Sequence, residues 1–166
     1  LEHQLAHLQQ YPFYQLNQPE DIWIRNGSHL NKKKIHQKPE GWCFEKCVER
    51  CLISPSGVMI KRNLITQNLF DESLHACEDY DLWLRLSQDY PIGLDPHTTI
   101  IKHGGHHDQL SKQPLLDLYR IQALKKIQTT QPKTKEIVHK KLSEKHIIIE
   151  KGSKKHKKQK TLKPHT

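Results

Sequence analysis

The chain has no run of about 18 or more consecutive apolar residues, the length a helix needs to cross a bilayer. Its opening, Leu1-Glu2-His3, has neither the basic segment nor the apolar stretch of an export signal. These absences point to a cytoplasmic protein. Apolar residues are scarce, 34% of 166, which allows one domain with a modest core rather than two. Acidic residues are missing altogether from positions 151–166, which hold seven lysines. The whole chain carries +9, yet residues 1–150 hold 20 Lys and Arg against 18 Asp and Glu, a balance of +2. A protein that grips nucleic acid spreads its basic charge over one face, so no specific nucleic-acid partner is expected. The excess belongs to the tail, which reads as disordered because it has no apolar cluster. At about 1 kcal/mol per Lys near an anionic lipid surface, such a tail is open to two readings, a peripheral hold on a membrane or an extension with no role.

Closely paired cysteines are also missing. Cys43, Cys47 and Cys51 step by four and Cys77 stands apart. Zinc and iron–sulfur sites favour tighter pairs in loops, so reduced, partly buried thiols are expected instead.

Taken in order, Leu1 to about Gln10 reads as an amphipathic helix with Leu1, Leu5 and Leu8 on one face. Phe13 to Leu16 and Asp21 to Arg25 read as strands. Asn26-Gly27 is a hairpin signal that turns His29-Leu30 back as a return strand. Lys32-Lys33-Lys34 and His36 form a solvated loop. Gly41 to Cys51 is helical by pattern, with Trp42, Cys43, Cys47 and Cys51 near one face. Ser54-Pro55-Ser56-Gly57 breaks that pattern, Val58 to Ile60 follows as a buried strand, and Lys61 to Asn68 is a short helix. Tyr90 to Leu94 and Thr98 to Lys102 are short strands separated by Asp95-Pro96-His97. Pro114 to Thr129, with Leu115, Leu118, Ile121 or Leu124, and Ile127 inward, and Glu136 to about Ile149 are two further helices.

The stretch from Leu69 to Leu86 organises the rest. Leu82 and Leu86 fall four apart, and Trp83, Leu86 and Tyr90 fall at helical spacing, which gives an apolar stripe for a core. Glu78, Asp79 and Asp81 sit at the first turn of that helix, where carboxylates complement the free N–H groups and the positive end of the dipole. Two uses are open to them. One is plain helix capping; the other is a general base aimed at a cleft.

Phe70-Asp71-Glu72 followed by Glu78-Asp79-Tyr80-Asp81-Leu82-Trp83-Leu84-Arg85 resembles the Phe-Asp-Glu…Glu-Asp-x-Asp-Leu-Trp-x-Arg signature of family-2, GT-A type glycosyltransferases. Gly104-Gly105-His106-His107-Asp108-Gln109-Leu110-Ser111 is similar to a Gly-Gly-His-x-Asp-Gln-Leu-Ser string in one bacterial branch of that family. The likeness runs from residue 1 to about 127. It implies an α/β fold: a partial GT-A (Rossmann-like) domain with short mixed strands and flanking helices, plus a C-terminal helical pair. The chain then divides into 1–112, the C-terminal half of such a domain; 113–150, the helices; and 151–166, the basic tail.

The resemblance also implies transfer of a sugar from a nucleotide-sugar donor to a glycan or lipid-linked acceptor hydroxyl, with inversion. Asp79 would be the base and Glu78 its supporting acid, and Ser54, Ser56 and Trp83 would contact the acceptor. For the two serines loop capping is the alternative use, and Trp23 is open either to stacking on the acceptor, as aromatic faces do with sugars, or to plain hydrophobic cover. His106, Gly104 and Gly105 would lie by the diphosphate or metal. A divalent cation, Mn or Mg, is expected for the complete enzyme. The Asp-x-Asp that would hold it is not in this chain, since Asp79-Tyr80-Asp81 opens a helix instead of ending a strand. Because the sequence does not start with Met and opens inside a helical pattern, it is expected to be the downstream part of a longer protein, inactive alone. The rival expectation is a non-enzymatic nucleic-acid or anionic-surface binder acting through its lysine-rich tail. A third is a truncated remnant with uncovered sheet edges.

Overall fold

The computed structural model describes residues 1–104, 116–127 and 131–161. Four strands form one mixed sheet built around β1 (Leu16–Arg25). The hairpin partner β2 (Ser28–Leu30) pairs antiparallel with the end of β1, and β3 (Met59–Ile60) pairs antiparallel with its start. Along its length β1 runs parallel to β4 (Gly93–Gly104). At the hairpin, Asn26 and Gly27 both take positive φ, 50° and 77°, as a tight primed turn requires.

Each of the long strands is continuous where the sequence suggested interruption. Phe13 to Tyr14 lie outside β1, whereas Asn17 through Glu20 lie inside it despite Pro19. The register shifts on both sides of Glu20, so that Pro19 faces Asp95 and Glu20 already faces Thr98. Pro96 and His97 are absorbed as a bulge, which lets a strand hold residues that cannot complete a regular ladder.

Six α-helices surround the sheet or pack on one another among the described residues. Of α1 (Glu2–Gln10), Gln4 and Leu8 are buried while Leu1 and Leu5 are exposed, which corrects the all-leucine face read from the sequence. A glutamine is tolerated inside because its amide donates to Gly57 O at 2.8 Å, and Asn17 Nδ2 donates to Gln4 O at 2.9 Å. α2 (Phe44–Glu49) is shorter than expected: it buries Cys43 and Cys47 but leaves Trp42 exposed. α3 (Arg62–Gln67) leads to the loop before α4 (Glu78–Asp89).

Helix α4 is the core element. Leu82, Leu84 and Leu86 are at most 1% exposed, and each such side chain contributes about 1.5–3 kcal/mol by leaving water. Tyr80 ties α4 to α2 by donating its hydroxyl to Val48 O at 2.7 Å. α5 (Leu116–Lys126) packs on α4 through Ile121, Ala123 and Leu124, whereas Leu118 is exposed.

α6 (Pro132–Thr161) pairs with α5 and touches α2. Its backbone stays helical through Thr161, beyond the Lys151 at which the sequence reading began a disordered tail. Lysine and glutamine are good helix formers, and no proline follows Pro132 until Pro164. No helix among the described residues is long and apolar enough to cross a membrane.

Candidate functional site

The chain enters α4 through Cys77, a non-glycine residue held at φ 63° and ψ 22°. Left-handed backbone costs roughly 1–2 kcal/mol for a side chain of this kind, so the turn survives only because its surroundings fix it. Its effect is to bring Glu78 and Asp79 out at the helix mouth while Asp81, one half-turn on, faces inward.

Asp79 is half-buried and lines a cavity of about 290 Å³ together with Glu78, Ser54, Cys51, Cys77 and Arg120. One of its oxygens, Oδ1, accepts from the Tyr80 backbone N–H at 2.7 Å. The other, Oδ2, lies 3.4 Å from the Cys51 sulfur, which donates to it. Burial first, and the nearby Asp79 charge next, push the Cys51 thiol up, so that it stays protonated and serves as that donor. Arg120 enters from α5 and donates to Asp117 at 3.0 Å. The pocket thus joins two carboxylates, a hydroxyl, two thiols and a guanidinium.

Ser54 couples this pocket to a second cluster on the sheet. Lys102 of β4 donates to Ser54 Oγ, pairs with Asp21 Oδ2 at 2.8 Å, and sits 5.5 Å from the centre of the Trp23 ring. Asp21 is almost wholly buried and also meets Lys32 at 2.8 Å, Lys38 at 3.1 Å and the Trp23 indole N–H at 2.9 Å. Burial alone would raise its carboxyl pKa, but hydrogen bonds from Lys102 and Lys32 hold it well below the usual carboxylate range. Lys38, itself buried, is shifted down by its loss of water. Lys32 is therefore no part of a solvated loop: it bridges Glu20 at 2.6 Å and Asp21.

Of the residues singled out from the sequence, Asp79, Glu78 and Ser54 come together around one cavity, and Trp23 adjoins them through Lys102. Ser56 is exposed in the turn Pro55–Gly57 and does not line the cavity. Trp83 is a core residue, 3% exposed, so its expected contact with an acceptor is corrected. α4 is buried from Tyr80 to Leu84, not only along one stripe, and Trp83 falls inside that span. Gly104 closes β4 opposite Arg25. Gly105 and His106 lie outside the described residues.

The two aspartates of Asp79-Tyr80-Asp81 do not make a cation site. Asp81 is wholly buried, with Arg85 Nε at 3.0 Å and Lys126 Nζ at 2.7 Å. Among the described residues no three His, Cys, Asp or Glu side chains converge as a metal site would require.

Sequence reasoning missed Arg120, Cys51 and Cys77 as cavity residues. Arg120 carries no motif, since its place follows only from how α5 docks on α4. Cysteine before an acidic first turn is equally silent until the backbone is seen. Compared with protein-family models, with curated proteins and with solved structures, the chain has no match in any of the three.

Proposed function

We propose that this chain supplies the acceptor side of a family-2 glycosyltransferase, with Asp79 as the general base. The observation that carries this reading is a carboxylate at a helix mouth that lines a cavity large enough for a sugar hydroxyl, beside a serine. In the reaction, Asp79 accepts the proton of the acceptor hydroxyl as its oxygen bonds to the anomeric carbon. The bond from that carbon to the nucleotide diphosphate breaks, and the electron pair leaves with the phosphate. Base and leaving group on opposite faces of the sugar give inversion.

Glu78 keeps a second carboxylate in the pocket. Ser54, oriented by Lys102, offers a hydroxyl to the acceptor. Arg120 adds the positive charge that a pocket with two acids needs to remain stable. The donor is a nucleotide sugar, the acceptor a glycan or lipid-linked saccharide. In this reading the donor-binding strands and their divalent cation come from outside residues 1–166.

The test is transfer from a panel of radiolabelled nucleotide sugars with Mn or Mg. It is run on the 166-residue chain and on a form extended upstream of Leu1 by an Asp-x-Asp strand. Turnover should need the extended form and fall by about 100-fold or more in Asp79→Asn. Wild-type turnover in that variant removes Asp79 from the role, and full turnover by the short form removes the division of labour.

A further inference from the structure

A larger cavity, about 510 Å³, lies at the other end of the β1–β4 pair and shares no lining residue with the one at Asp79. α1, the turn into β1, Glu40 and the start of β4 build it. Gly93 makes the close approach possible. A Cβ there would fall 2.9 Å from Asn17, 3.0 Å from the Tyr14 ring and 3.2 Å from His7, so a side chain would displace both rings.

One wall is aromatic and open to solvent. Phe13 is 58% exposed, its ring 4.2 Å from that of Tyr14, with Tyr11 edge-on at 6.3 Å. The other wall is polar, and its hydrogen-bonding directions can be assigned. Asn17 Nδ2 donates to His7 Nδ1 at 3.3 Å, which puts the His7 proton on Nε2 as a donor. His97 Nδ1 lies 2.7 Å from Asp95 Oδ1 and donates to it, which leaves Nε2 as the ring's other hydrogen-bonding atom. His3 stacks on His97 at 4.1 Å and holds that ring in place.

Asp95 is 1% exposed, and its other oxygen, Oδ2, has no hydrogen-bond partner among the described residues. Tyr14 donates to Glu40 Oε1 at 3.3 Å, leaving that carboxylate further acceptor capacity.

The cleft therefore mixes donors and acceptors beside an exposed aromatic platform. A simple cation would answer the carboxylates and the aromatic faces but leave the His7 N–H unmatched. An anion would offer acceptors alone and face Asp95 and Glu40. A pyranose fits both halves, since each hydroxyl donates and accepts while its C–H face is apolar. We infer that this cleft is a saccharide-binding site separate from the Asp79 cavity, seating one pyranose on Phe13 with its hydroxyls toward Glu40, His7 and His97. The inference does not rest on the transferase reading.

Saturation-transfer NMR on the 166-residue chain tests it, using the methyl glycosides of glucose, galactose, mannose and N-acetylglucosamine singly, with choline chloride as the cationic comparison. At least one glycoside should receive saturation at its ring C–H protons. The apparent affinity should fall by about tenfold or more in Phe13→Ala and in His97→Ala, and stay unchanged in Asp79→Asn. Phe13 and His97 side chains are both more than half exposed, so both variants should keep the fold, which near-UV circular dichroism checks. Four results would each overturn the inference: no transfer to any glycoside; wild-type binding in both variants; loss of binding in Asp79→Asn; or binding of choline without any glycoside.

Discussion

Asp79 and Asp81 stand two residues apart in one helix and live in different chemistry. Asp81 is wholly buried and held by Arg85 and Lys126, the latter also gripping Asp71 at 2.6 Å, so it clamps α4 to the preceding loop and to α5. Asp79 faces a cavity, and the one side chain that bonds it among the described residues is a weakly donating thiol. Asp21 on β1 repeats the first pattern more strongly, with three lysines around one carboxylate. The lesson is that an acidic residue is freed for chemistry by lacking cations, and committed to the fold by having them.

The comparison is most easily broken at Asp21. Asp21→Ala leaves the buried Lys38 ammonium uncompensated and should cost about 3–5 kcal/mol in urea unfolding. A loss under about 1 kcal/mol would show the lysine cluster to be ornamental. Its folded pKa is depressed, so its contribution is present above the unfolded value of about 4 and is lost as pH falls toward the folded value. Wild-type stability should therefore drop on acidification below about pH 4 more steeply than that of Asp21→Asn, as followed by thermal melts.

A smaller effect is expected at Lys102. Lys102→Met keeps the stem but frees Ser54, and in the extended form it should raise the acceptor KM severalfold while leaving kcat nearly unchanged. Equal loss in both constants would place Lys102 in the chemistry itself. The smallest effect is at the thiols. Cys51 and Cys77 line the open cavity, whereas Cys43 and Cys47 are at most 3% exposed, so mass spectrometry after alkylation should find the first pair modified sooner. Asp79→Asn removes a charge that opposes the Cys51 thiolate and should speed labelling there.

Local signals in the sequence carried much of the architecture. The Asn-Gly hairpin, α3, α4 and the pairing of the last two helices follow from short-range patterns, and so does the acidic first turn. Long-range partners were not legible. Gln4 points inward because Asn17 and Gly57 satisfy it, and nothing near Gln4 announces them. Pro19 sits within a strand because a bulge in β4 accepts it. Lys32, Lys38 and Lys102 meet at Asp21 only once β1 and β4 lie side by side. The candidate site divided in the same way: spacing put Glu78 and Asp79 in the first turn of their helix, the resemblance alone suggested a base there, and Arg120 was set by tertiary packing.

Urea unfolding of Asp79→Asn and Asp81→Asn, measured side by side on the 166-residue chain, tests the division between them most directly. Asp81→Asn should lose about 2 kcal/mol or more, because its buried amide cannot answer two cations. Asp79→Asn should lose less than about 1 kcal/mol, the size of a helix-dipole term. Equal, large losses in both variants would contradict the account and make Asp79 one more structural carboxylate.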